Sequence, residues 1–388
     1  MTLLIATDEA GYGPKLGPLV IVATAWSCDL SIAQSSDNRL PIAKAPDNRL
    51  SIAKTPDNRL SIAKTPDNRL PIAKALGHRL STPLRSPGGL VLVVDDSKRL
   101  FTRQAAGANP HLKLDRITAA AARWAKLPSP DADYPQWFRA IAPDDVVGIQ
   151  QQPWFVGLDR WGQVTPGDHG CDLEAITTAL LNHWQQDADL TLVGVSARVI
   201  DAARYNRWLV EEGINKADLL SRLTCELALG LADRFHEAAG DEPIEVFSDR
   251  HGGRARYAGL LQHHAPDHLV RVVAESSSQS EYFLERTGPG QDAADGNRLG
   301  AIRWRFTVGG DSFPPVSLAS IIAKSTRERL MDRFNDYFSS AWGEFAKDDA
   351  RPPLPTAGYA ADATRFLRET ASLRRALGVA DERLVRIK

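Results

Sequence analysis

The chain begins MTLLIATDEAGYGPKLGPLVIVATAW, and this stretch restricts the possible folds more than any other. Residues 2–8 and 18–26 are β-rich and flank a Gly/Pro turn, which predicts an antiparallel strand pair. Asp8 and Glu9 fall where the first strand should be running into the interior. Charged side chains are seldom buried there without a partner. Taken alone, an Asp-Glu pair at a strand end reads as a solvated turn; taken with other acids, it reads as one half of a cation site.

The rest of the chain alternates between the two periodicities. A short apolar run at 90–95 (LVLVVD) precedes helical stretches at about 112–126, 172–186 and 216–236, with a strand at about 190–199. A strand at 243–248, a helix at about 253–263, strands at about 269–274 and 301–308, a helix at 317–338 and a last helix at about 361–376 follow. This order predicts a mixed α/β sheet with helical cover. With 388 residues, 43% hydrophobic and 24% charged, the chain suits one large globular domain or two small ones. Cys28, Cys171 and Cys225 are far apart and odd in number, which argues against a disulfide framework or zinc ribbon. Neither a leader-like segment nor an apolar run of about 20 residues is present, so the expectation is a cytoplasmic protein with no membrane partner.

Residues 31–80 are five tandem decapeptides, SIAQSSDNRL, PIAKAPDNRL, SIAKTPDNRL twice and PIAKALGHRL. Ile, Ala and Leu are the only apolar residues in each copy, too few to close a core per repeat. A flexible or loosely turned insertion is expected, with a small solenoid as the alternative. The array carries a charge of about +5 within a chain of net charge -1, so any polyanion would have to meet a local basic surface. Residues 127–170, rich in Pro, Asp and Trp, read as an accessory insertion. The expected organisation is a first part of the main domain at 1–30, the repeat insertion at 31–80, the remainder at 81–340, and a C-terminal helical segment at 341–388.

Acidic residues recur where strands end. Asp8 and Glu9 close the first strand, and Asp249 closes PIEVFSD. In the helix VSLASIIAKSTRERLMDRF, Ser320, Lys324, Glu328 and Asp332 share one stripe at i, i+4 spacing, leaving Leu318, Ile322, Met331 and Phe334 for packing. Two strand ends and a helix can bring such carboxylates to one point, where they repel one another unless cations sit among them. Two Mg²⁺ ions about 3.5–4 Å apart are a common solution in phosphodiester cleavage. Singly, Glu328 or Asp332 would instead pair with Arg327, Arg329 or Arg333 on a helix surface.

Five segments together resemble the type 2 ribonucleases H, the HII/HIII group. DEAGYGPKLGPLVI is similar to that group's opening Asp-Glu-x-Gly-x-Gly, and DDSKRL at 95–100 to its Asp-Ser-Lys-x-Leu segment. The strand ending in Asp249 matches its third acidic position, GGDSFPPVSLASIIAKSTRERLM its Gly-Asp and Ala-Ser-Ile-x-Ala-Lys block, and TAGYAADATRFL its late Gly-Tyr segment. The segments occur in the group's order, outside the repeats and 127–170.

The resemblance implies a ribonuclease H-like mixed five-stranded sheet with flanking helices and a C-terminal helical extension. It implies an endonuclease that uses Mg²⁺ or Mn²⁺ to cut the RNA strand of an RNA–DNA hybrid, or ribonucleotides within duplex DNA, leaving 3′-hydroxyl and 5′-phosphate ends. The protein is expected to act as a monomer. Asp8, Glu9, Asp249 and Glu328 would bind metal, with Asp332 able to substitute for Glu328. Gly11, Tyr12 and Gly13 would approach the sugar-phosphate, Lys98 and Ser320 or Lys324 would contact phosphate, and Tyr359 would stack on a sugar. Tyr12 stands where HII enzymes carry Arg, and Glu328 where the group usually has Asp. Two alternatives are a paralogue that binds hybrids without cutting and a structure-specific DNA nuclease of the same fold.

Other clusters read less chemically. His263, His264, Asp267 and His268 fall in a predicted helix-to-strand loop and read as solvated. Asp168, His169 and Cys171 read as a turn and helix cap. Arg250, Arg254 and Arg256 read equally as basic surface or as solvation of a helix N-terminal turn.

Overall fold

The structure, a computed structural model, describes residues 2–28, 71–86, 89–100, 111–157, 170–186, 190–239, 242–287, 300–346 and 351–387. The strands are β1 (Thr2–Ala10), β2 (Leu19–Cys28), β3 (Leu84–Arg85), β4 (Val91–Leu92), β5 (Leu190–Ile200), β6 (Ile244–Asp249), β7 (His268–Glu275), β8 (Gln279–Arg286) and β9 (Ile302–Thr307). The α-helices are α1 (Pro71–Leu80), α2 (Ser97–Leu100), α3 (Leu112–Trp124), α4 (Tyr134–Ile141), α5 (Val146–Gln150), α6 (Gly170–Trp184) and α7 (Ala202–Glu212). They continue with α8 (Lys216–Phe235), α9 (Ala258–His264), α10 (Pro314–Phe345), α11 (Ala360–Glu369), α12 (Ala371–Ala376) and α13 (Asp381–Leu384). Among the described residues, no helix is long and apolar enough to cross a membrane.

Seven strands form one sheet in the order β5-β2-β1-β6-β9-β8-β7. β5, β2 and β1 are antiparallel neighbours, β1, β6 and β9 run parallel, and β9, β8 and β7 return as antiparallel partners. The mixed sheet with helices on its faces is the expected mixed α/β class, with seven strands instead of five. The added hairpin includes β8, whose inward positions Ser280, Tyr282 and Leu284 alternate with Glu281 and Glu285. A serine in the buried register hides that period from the sequence. The apolar run at 90–95 shrinks to the two-residue β4.

β1 is buried on both faces, as a central strand with a parallel neighbour requires. Leu4 and Ala6 face a core shared with Val20, Val22 and Trp26 of β2 and with Leu318 and Ile322 of α10. Leu3 and Ile5 face the opposite core, with Leu219, Leu223 and Leu231 of α8. This period-two split fixes which residues of β1 can look toward α10. α10 starts earlier than expected, with Pro314 and Pro315 in its first turn, where their missing N–H groups cost nothing, and it runs on to Phe345. α7 lies outside the predicted helices, although Asp201 caps it, accepting from Ala203 N and Arg204 N.

Two expected insertions are in part structural. The last decapeptide forms α1, and Ile72, Leu76 and Leu80 are fully buried in the α10-side core. The i, i+4 spacing of these three residues makes an apolar stripe, and in three of the other copies Pro stands at the position of Leu76. The other four copies lie outside the described residues. Within 127–170, Trp137, Phe138 and Ile141 of α4 enter the same core. Asp145 just beyond is fully buried and accepts from Val199 N at 2.7 Å, Arg198 Nε at 3.1 Å and Arg204 Nη2 at 2.6 Å. Residues 158–169, with Asp168 and His169, and the side chain of Cys171 lie outside the described residues. His268 also departs from expectation: it is buried at the start of β7, not solvated.

Because Asp145 neutralises two guanidinium groups against β5, Asp145→Ala should lower the unfolding free energy by about 3–5 kcal/mol, the range for breaking a buried ion pair. Urea denaturation checks this, and a change under about 0.5 kcal/mol, usual for surface substitutions, would show the segment to be accessory.

Candidate active site

Parallel pairing sets the location. β1 and β6 run side by side, Leu4 beside Glu245 through Thr7 beside Ser248, so their C-terminal ends emerge at one edge of the sheet. That edge is where open α/β sheets bind ligands. Asp8 lies in the Leu4–Ala6 register and meets α10, where it accepts a hydrogen bond from Ser320. Glu9 follows at the rim, and Asp249 ends β6. The cleft they share, about 230 Å³, is also lined by Gly11, Tyr12, Gly13, Ser97, Asp311, Ser320, Lys324, Arg327, Glu328 and Tyr359.

The carboxylates are in electrostatic conflict. Burial pushes the Asp8 carboxyl well above its ordinary value, and the charges of Glu9 and Asp249 add to the shift. Glu9 is pushed up to about 7, by burial first, then by Asp249, with Asp311 adding to it. Asp311 is therefore the fourth carboxylate of the group, a residue the sequence reading did not single out. It sits in a 3-10 turn, Gly310–Ser312, directly after β9. Gly310 N donates to Asp249 Oδ1 at 2.9 Å. A Cβ on Gly310 would stand 3.0 Å from Asp249 Cα, so glycine permits this approach. The Gly-Gly before Asp311 was the available signal.

The α10 stripe divides. Ser320, Lys324 and Glu328 line the cleft, as their spacing predicts. Ser320 Oγ lies 3.2 Å from Ser97 Oγ, and Lys324 Nζ donates to Ser97 O at 3.5 Å. Glu328 is engaged sideways: Oε1 accepts from Arg327 Nη1 at 3.2 Å, and Oε2 is 3.9 Å from His111 Nε2. Asp332, one turn on, does not line the cleft. Its carboxyl is pushed up to about 6 by burial and by Glu328, Asp115 and Asp336, against the lowering effect of His111. The side chain of Lys98 lies outside the described residues.

The glycine loop is held from behind. Arg327, only 2% exposed, donates from Nη2 to Leu16 O at 3.3 Å and to Ala357 O at 2.9 Å. Gly11 has φ +88°, and a Cβ there would lie 2.5 Å from Pro18 O and 2.7 Å from Arg327 Nε. Lys15 N and Leu16 N both donate to Gly358 O, at 2.8 and 3.2 Å, which sets Tyr359 at the cleft rim, 57% exposed. From the C-terminal side, Arg386 N donates to Lys15 O at 2.9 Å, its guanidinium donates to Pro14 O, and Leu16 pairs with Val385. Burial and the neighbouring Arg327 charge lower the Arg386 pKa to about 10.

Aspartate and glutamate oxygens in mutual repulsion, with no imidazole or thiolate beside them among the described cleft residues, are donor chemistry suited to hard divalent cations such as Mg²⁺, Mn²⁺ or Ca²⁺. Among the described residues, no three His, Cys, Asp or Glu side chains are already gathered closely enough to hold an ion. The donor set fits a divalent cation, and holding one requires the carboxylates to draw inward.

No family model matches the sequence, and no curated protein does. Solved structures similar to the chain include ribonuclease HII of Archaeoglobus fulgidus, from its complex with PCNA (14% identity, TM-score 0.37, covering 100% of this chain and 94% of that one). Another is ribonuclease H2 of Pyrococcus horikoshii (12%, TM-score 0.36, 99% and 92%). A third is Bst-RNase HIII in complex with Mn²⁺ (13%, TM-score 0.36, 100% and 66%). At these identities and TM-scores the overlap is loose, and what bears on function is the chain's own acidic cleft. These three solved structures are type 2 ribonucleases H.

Proposed function

We propose that this chain is a metal-dependent nuclease that hydrolyses the RNA strand of RNA–DNA hybrids, or ribonucleotides in duplex DNA, to 3′-hydroxyl and 5′-phosphate ends. The observation that carries this is the meeting of Asp8, Glu9, Asp249 and Asp311 in one cleft, beside the glycine loop and the exposed ring of Tyr359. Asp8, Glu9, Asp249 and Asp311 would hold the ions, with Glu328 at the margin. Bound Mg²⁺ or Mn²⁺ would supply charge neutralisation and water activation. Lys324, with Ser97 and Ser320, faces the cleft as a phosphate-binding group. The backbone of Gly11–Gly13 admits a sugar edge closely, which suits recognition by the 2′-hydroxyl. Tyr359 offers a flat apolar face for stacking on the substrate.

A second reading, a protein that binds hybrids without cutting them, is favoured by the spacing of the carboxylates and by the diversion of Glu328 to Arg327. One assay separates the two: purified protein with Mg²⁺ or Mn²⁺ and labelled duplexes carrying one ribonucleotide, an RNA tract, or no RNA. Products from the first two duplexes support the nuclease; binding without products in both metals supports the second reading. Cutting of the all-DNA control would instead indicate a DNA nuclease.

Asp249→Asn and Asp311→Asn should each reduce cleavage by more than about 100-fold, since even groups behind a metal ligand are worth 10–100-fold. Glu328→Gln should cost less than either. Single-turnover rates at saturating Mg²⁺ measure all three, and equal losses would place Glu328 among the ligands.

The raised carboxyl of Glu9 also sets a pH dependence without metal. A group whose folded pKa is about 7 against 4.5 unfolded binds its proton more tightly when folded. Stability of the metal-free protein should therefore fall as pH rises from about 4.5 through 7. Mg²⁺ competes with those protons, so it should raise Tm more at pH 8 than at pH 5.5. Thermal melts with and without Mg²⁺ read both effects.

A further inference from the structure

An anionic strand approaching four carboxylates needs cations placed on its own path, and most arginines around the glycine loop are already engaged. Arg254 is paired with Asp218, and Arg222 with Glu212. Arg250 donates to Ser276 O, Ser277 O and Ser280 Oγ. Arg327 is buried against carbonyls and Glu328. Lys216 differs. Its Nζ lies 4.8 Å from the centre of the Tyr12 ring, and Tyr12 lines the cleft between Gly11 and Gly13.

No carboxylate among the described residues forms an ion pair with Lys216. The nearest acid in sequence, Asp218, is committed to Arg254 and to the Asn215 backbone. Tyr12 is fixed in turn, its hydroxyl lying against Gly252, where a Cβ would come within 2.6 Å. Burial and the nearby Glu9 charge raise its phenol pKa, so the ring stays neutral and holds the cation through its face. A flexible lysine stem is thereby steadied over the loop with its charge unspent.

We infer that Lys216, seated on the Tyr12 ring, contacts a backbone phosphate of the strand that crosses Gly11–Gly13. This rests on the nuclease reading above and deepens it, because it makes the lysine–tyrosine pair the chain's own cationic contact at the loop. The contact is to phosphate, so it adds affinity without base specificity. Lys216 acts in binding, away from the carboxylates, and its loss should fall on KM.

The test measures binding of a fluorescent RNA–DNA hybrid in Mg²⁺ by the Asp249→Asn chain, with and without Lys216→Gln or Lys216→Arg, across roughly 50–200 mM KCl. Lys216→Gln should make the slope of log K against log salt shallower by about 0.9 and weaken binding roughly tenfold at the low-salt end. Lys216→Arg should restore both, with Tm unchanged in either variant. In the active chain, Lys216→Gln should raise KM and leave kcat nearly as it was. If the Asp249→Asn parent binds and Lys216→Gln keeps its slope and affinity, this inference alone is overturned. Failure of the parent to bind the hybrid would overturn the nuclease reading and this inference with it.

Discussion

The guanidinium of Arg327 is the interaction on which the cleft depends. It is buried, yet its partners come from three separate parts of the chain: Leu16 in the glycine loop, Ala357 before the exposed Tyr359, and Glu328 beside it on α10. Removing a buried partner of a charge costs several kcal/mol, so the three segments are bound to one another through this group. The loop cannot shift without stripping Arg327 of an acceptor, and Tyr359 cannot move independently of the loop.

The same interaction explains how the carboxylates sort. Glu328 lies on the stripe that faces the cleft, but its Oε1 accepts from Arg327 Nη1 and its Oε2 stands 3.9 Å from His111 Nε2. Asp311 acts instead on Glu9, where its charge adds to the raised carboxyl. The acidic group is thus drawn from the ends of β1, β6 and β9, three adjacent parallel strands, and α10 contributes hydroxyl and ammonium groups instead. Four acids with one sign of charge and little solvent are destabilising without a counter-ion, a cost that a stability-driven sequence would shed.

Legibility in the sequence followed the range of the interactions. β1, β2, β5, β6 and most of α10 were readable because a period of 2 or 3.6 is a local signal, and Asp8, Glu9 and Asp249 were readable because strand ends are. α1 was missed because four turn-rich copies disguised the fifth, whose Ile72, Leu76 and Leu80 make a helical stripe. β8 was missed because Ser280 occupies an inward position. Asp311 was missed because it lies in a turn without periodicity, and only the fold reveals that Gly310 abuts Asp249. Arg386 could not have been found at all, since its contact with Pro14 spans almost the whole chain.

That long-range contact bears on how the site accommodates ions. Loop residues 14–16 are tied to Arg386, Val385 and Gly358, and Asn206 clamps the terminal segment by donating to Glu382 O and Val385 O. Two guanidinium groups, Arg327 and Arg386, lie behind the loop, and the Arg327 charge adds to burial in lowering the Arg386 pKa. The glycine loop is therefore held from more than one side, the kind of support that precise positioning needs. The acids are held in their turn: Asp249 Oδ1 accepts from Gly310 N, Asp8 accepts from Ser320, and the Glu9 and Asp8 side chains are hydrogen-bonded to each other. On the nuclease reading, the loop backbone that would meet the substrate is therefore already held in place by Arg327, Arg386 and Gly358.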